Sequence, residues 1–148
     1  MSLTNEKTKY DKLVTDFDDL FDRTISLVSL DGKTLKEALT TQLPIQLELE
    51  LMVKQAYHLH EVVEMEVDET YAIALATQMT NSRREIIYTQ AKEYAKADPE
   101  YKIAKRFLLD VRKLRDEVKG CLEVINTRRY IVNNMSNSVI AGVENTII

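Results

Sequence analysis

Apolar residues recur every three or four positions along most of the chain, which is the spacing of amphipathic helices. Tyr10, Leu13, Val14, Phe17, Leu20 and Phe21 form the first such stripe, with Asp16, Asp18, Asp19 and Asp22 on the opposite face. They predict an acidic N-terminal helix over 5–23. ISLVSL follows, readable as a brief strand or an extended connector, and Asp31-Gly32 marks a turn. Thr34 and Glu37 have the spacing of a capping box, opening a short helix to Thr41. Pro44 then belongs in the first turn of the next helix.

PIQLELELMV places Ile45, Leu47, Leu49, Leu51 and Val53 in strand-like alternation. A helix fits equally, with Ile45, Leu49, Met52, Ala56 and Leu59 on one face. The run continues through HLHEVVEMEVDETYAIALATQM without a breaker, and that length decides for helix. Ser82 with Glu85 offers a second capping box, so a break is expected near Thr80. Asp98-Pro99 is the clearest boundary: Asp as N-cap, Pro at the first helical position. From there a last helix is predicted to Met135. In it Phe107, Val111, Leu114, Val118, Cys121, Ile125, Arg128, Val132 and Met135 are spaced 4-3-4-3-4-3-4-3. This heptad pattern reads as an oligomer seam, interrupted by Arg128.

The expected fold is therefore all-α: an elongated helical bundle or hairpin with a long, heptad-patterned C-terminal helix. Its 148 residues suit one domain, spanning the N-terminal helix, core helices over 34–135 and an apolar tail at 136–148. Three glycines and two prolines leave helices largely unbroken, and 45% apolar content argues against disorder. The single Cys121 cannot form an internal disulfide, as suits a reducing cytoplasm. No apolar run reaches the ~20 residues of a membrane span and no secretory leader is expected, so a cytoplasmic protein is predicted.

Net charge is −4, unevenly spread. Residues 1–70 hold 15 acidic and 7 basic side chains, whereas residues 71–148 hold 9 acidic and 13 basic. Lys105, Arg106, Arg112, Arg115 and Lys119 are assigned to one flank of the last helix, with Tyr101 and Tyr130 towards its ends. Cations neutralise phosphates and tyrosine rings stack on unpaired bases, a combination suited to single strands. Arg128 and Arg129 stand on the two shoulders of the seam. The competing reading is an ordinary solvated helix face.

Catalytic motifs are sparse. His58 with Glu61 and His60 with Glu64 have spacings that could share an ion on a helix. A di-iron bundle needs Glu-x-x-His pairs, and none occurs. Glu61-x-x-Glu64 fits the opening of an all-α nucleotide pyrophosphohydrolase, but no Glu-x-x-Asp follows on a later helix. There is no Gly-rich phosphate loop, and Cys121 lies on the apolar seam away from both histidines. Neither a metal nor a cofactor is expected, and enzyme is the weaker class.

Two regions carry a family likeness. DGKTLKEALTTQLPIQLELEL, residues 31–51, is an Asp turn, a Leu-x-Glu-Ala-like helix and the start of a long helix. YAKADPEYK through LEVINTRRYIVNN, residues 94–134, is an Ala-Asp start leading to a final helix that ends on Ile125, Arg128, Tyr130 and Val132. In these the chain resembles the recombination mediator proteins of tailed phages, the UvsY family. The resemblance implies a small all-helical homo-oligomer that binds single-stranded DNA. It also implies two protein partners, a RecA-like recombinase and a single-strand-binding protein, in the host cytoplasm if phage-encoded. The middle of the long helix, basic in that family, here reads EMEVDETYAIALA. DNA contact is thereby assigned to Arg83, Arg84 and the C-terminal stripe. The alternative is a helical scaffolding or regulatory protein that binds another protein, with a metal-dependent nucleotide hydrolase third.

Overall fold

The computed structural model describes residues 3–28, 35–80 and 87–140, apart from the side chains at 26–28, 35, 36, 39, 136 and 138–140. Four helices follow one another: α1 (Thr4–Val28), α2 (Leu35–Thr80), α3 (Tyr88–Lys96) and α4 (Pro99–Ile140). No strand occurs among the described residues.

The architecture is a hairpin of two long helices with α1 laid against it. At ~1.5 Å per residue, the 46-residue α2 extends about 70 Å and the 42-residue α4 slightly less. Their antiparallel register is set by contacts at both ends. Arg128 reaches Ala38 and Gln42 at one end, and Tyr71 meets Tyr101 at the other. α1 runs antiparallel to α2, since Arg23 binds Glu48 while Leu13 and Glu6 lie beside Gln55 and Val62.

The core has two parts along the hairpin. In one, Leu13, Phe17 and Leu20 of α1 pack with Leu49, Met52 and Ala56 of α2 and Leu114, Val118, Cys121 and Ile125 of α4. In the other, Leu59, Val63 and Val67 of α2 meet Ala104, Phe107, Leu108 and Val111 of α4. Phe107 takes the Tyr10 ring edge-on at 5.6 Å between centroids. Val132 is also buried. The α4 stripe expected to join copies is therefore satisfied inside one chain. Phe107, Val111, Leu114, Val118, Cys121 and Ile125 are core residues, and the oligomer seam assigned to them is corrected to an internal one. A 4-3 repeat specifies a helix packed along one line; it does not say which chain supplies the other helix.

Three boundary expectations change. The first four residues of ISLVSL, Ile25–Val28, are helical and end α1, with Thr24 buried and bonded to the Leu20 carbonyl at 2.9 Å. Pro44 opens no helix: α2 runs through it from Leu35. Proline inside a helix costs ~3 kcal/mol through its missing N–H and ring clash. Burial of Ala38, Leu49 and Met52 on either side offsets that cost. Beyond Met135, α4 continues into the segment read as a tail. Asp98 caps α4 as expected, its Oδ2 accepting the Tyr101 N–H at 3.0 Å. Thr34, Ser82 and Glu85 lie outside the described residues.

Arg128 is 5% exposed, so the arginine in the apolar stripe points into the hairpin rather than snorkelling out of it. Its Nη1 donates to the Gln42 carbonyl oxygen at 2.6 Å and to the Ala38 backbone carbonyl at 3.3 Å. The Gln42 amide donates in turn to Gln46 Oε1 and to the Ile125 carbonyl, and Gln46 donates to Glu50. Among the described residues no carboxylate reaches the guanidinium, and its Nε and Nη2 have no partner. Burial accordingly pushes its pKa down.

Two substitutions separate these contributions. Ile125→Ala empties a fully buried position and is expected to cost about 2–5 kcal/mol. Arg128→Met removes a buried cation with two bare donors and is expected to stabilise by on the order of 1 kcal/mol. Urea unfolding checks both, as shifts in midpoint at constant slope.

Candidate nucleic-acid interface

A helix in a hairpin with a third helix on one side keeps one flank open. α1 covers the side of α4 that carries Glu117, Gly120 and Val124. Tyr101, Lys105, Arg112, Arg115, Lys119 and Arg129 stand on the other side of the stripe, along the margin shared with α2. Lys105, Arg112 and Lys119 are exposed and recur every seven residues, so they line up at about 10 Å intervals. Arg129 and Tyr130 are exposed further along the same helix. There Arg129 and Asn133 face Gln42, Leu43 and Gln46 across a cleft of about 210 Å³.

The remaining assigned residues fare differently. Arg106 is exposed but projects about 120° away from Arg112 around the helix, whereas Lys105 lies within about 20° of it. It does not belong to this row. Arg128 is buried and cannot touch a ligand from a shoulder of the seam. Tyr101 is partly buried against the second core cluster, and its ring packs on Tyr71 at 5.4 Å and 54°. Only part of that ring is free to stack. Arg83 and Arg84 lie outside the described residues.

Arg115 is the most committed cation of the row. Its Nε and Nη2 both donate to Asp116 Oδ1 at 3.0 Å, and its guanidinium lies 5.2 Å from the centre of the Tyr57 ring. Its Nη1 comes within 3.5 Å of His60 Nδ1. The sequence carried a sign of this cluster: Tyr57 and His60, three apart on α2, share one helix flank. Only the antiparallel register shows that Arg115 stands opposite them. The open flank is thus not uniformly basic, since Asp116 is on α4 itself and Glu64 Oε2 lies 3.9 Å from His60 Nδ1.

His60 is buried and its pKa is lowered, first by burial and then by Arg115 and Arg112, against the opposing pull of Glu64 and Asp116. With Arg115 donating to Nδ1, the neutral ring carries its proton on Nε2, which has no partner among the described residues. His58, two residues away, is exposed on a different side of α2. The two histidines therefore do not converge. Among the described residues no group of three His, Cys, Asp or Glu side chains is placed to hold a metal ion. Burial pushes the Cys121 thiol up, away from the reactive thiolate.

No protein-family model, curated protein or solved structure matches the chain.

Protonating His60 is costly in the folded state and free in the unfolded one, so the unfolded chain binds the proton at higher pH. Stability is then full above the ordinary value of 6.5 and falls as pH drops below it. Melting temperature should therefore rise as pH increases towards 6.5. In His60→Gln the rise should be smaller, and equal slopes in the two proteins would refute the assignment.

Proposed function

We propose that the protein is a non-enzymatic accessory factor that binds single-stranded DNA along the open flank of α4. The observation that carries this reading is the regular row of exposed cations Lys105, Arg112 and Lys119, extended by Arg129 and Tyr130. Evenly spaced cations on a rigid helix follow a flexible phosphate backbone, and an exposed tyrosine face gives an unpaired base a surface to stack on. Tyr101 adds the exposed part of its ring at the far end. Arg115 works indirectly, holding the Tyr57–His60 margin in place through its contacts across the hairpin. The resemblance to recombination mediators gives this reading its biological form: loading a RecA-like recombinase onto strands held by a single-strand-binding protein.

Overall acidity does not oppose this, because screening confines charge interactions to about 8–10 Å at physiological salt. Four cations contacting four phosphates give a slope of log affinity against log salt of about −2.8. Electrophoretic retardation of a labelled oligonucleotide at several salt concentrations measures it. Lys105→Ala with Arg112→Ala should flatten the slope by about 1.4, whereas Tyr130→Ala should weaken binding and leave the slope unchanged. Arg128→Met should leave both unchanged because that residue is buried. Failure of the wild type to retard single strands at low salt would eliminate the reading.

A further inference from the structure

The strand-like alternation in PIQLELELMV leaves a second apolar row on α2. While Ile45, Leu49 and Met52 pack inward, Leu47 and Leu51 are 57% exposed on the outer face of α2, and Leu43 lies nearer the cleft with Arg129. The same outer face carries Lys54, His58, Glu61, Met65, Asp68 and Ala72, all exposed, with Met65 at 71%. From Leu47 to Ala72 these positions are spaced 4-3-4-3-4-3-4, so they form one line along the helix. α1 does not cover that line: its cleft with α2 is bounded by Gln55, Leu59 and Val62, on the adjacent side, and reaches only His58 at the edge.

We infer that this outer face of α2 is where a second copy of the chain docks, antiparallel, about a two-fold axis at His58. The order of residue types singles out this occupant. Reversing the row about His58 sets Lys54 opposite the partner's Glu61, and symmetry repeats the pair on the other side. It also sets Leu51 opposite the partner's Met65. Cation meets anion at Lys54 and Glu61, and apolar meets apolar at Leu51 and Met65, in one register. A face built for an unrelated partner has no reason to be complementary to its own reverse. Leu47 falls opposite the partner's Asp68, which stands about 60° off the centre of the row and so keeps its carboxylate at the solvent margin. An isologous contact of this kind closes on itself and yields a dimer rather than a filament. It uses none of the α4 cations, so dimerisation and DNA binding can be lost separately.

Sedimentation equilibrium tests the inference. The wild type should be a dimer at on the order of 50 μM, and Leu51→Asp or Met65→Lys should be a monomer with unchanged helical circular dichroism. Lys54→Glu and Glu61→Lys should each weaken the dimer about tenfold or more, and the double exchange should restore it. His58→Cys should give a disulfide-linked dimer on mild oxidation, because only a residue on the axis meets itself. A monomeric wild type would overturn the inference and leave the leucine row to an unrelated protein. Failure of the double exchange to restore association, or of His58→Cys to cross-link, would overturn this register.

Discussion

Everything in this fold depends on one buried line, the stripe of α4 that includes Phe107, Val111, Val118, Ile125 and Val132. Buried Leu, Ile or Val side chains contribute ~1.5–3 kcal/mol each, and this line runs along α4 from Phe107 to Val132. α2 takes most of that line, with Leu49 and Val63 fully buried against it. α1 closes the part that α2 leaves uncovered, through Leu13, Phe17 and Leu20. The bidentate Arg23–Glu48 pair spans α1 and α2, but it is half exposed and worth at most about 1 kcal/mol. It orients α1 rather than holding it.

A stripe this regular leaves helix register open, because sliding by seven residues preserves the pattern. Polar groups inside the stripe remove that freedom. Arg128 finds its acceptors on Gln42 and Ala38, and a slid hairpin would leave a buried guanidinium with fewer. His60 with Arg115, and Tyr71 with Tyr101, mark the same register further along. The arrangement trades stability for uniqueness, as a polar residue at a coiled-coil core position does.

The exposed rows follow from what this packing leaves uncovered. α4 spends its apolar side on the hairpin and presents Lys105, Arg112 and Lys119 along the open margin. α2 is apolar on two sides between Leu43 and Val53, and only one side is used within the chain. A cationic row and an apolar row therefore lie on different faces of the same hairpin. The proposed contacts with DNA and with a second copy are placed on these separate faces.

Local sequence was enough for the helical class, the acidic first helix, the start of α4 at Asp98-Pro99 and the apolar stripe of α4. Each rests on local chemistry: apolar period, a capping carboxylate, a proline at a position with no hydrogen bond to lose. The extension of α1 through Ile25–Val28 and the passage of α2 through Pro44 lay beyond it, because packing outweighed local preference there. Above all, tertiary structure decided what covers the stripe. Phe107 to Val132 looked the same whether another chain or α2 were to meet it, since burial has no label for its source. The same holds for the cations: Arg128 and Arg115 carry identical charge in the sequence, but one ends inside the hairpin and the other on its margin. Lys105 and Arg112 reach open solvent simply because α1 packs on the opposite side.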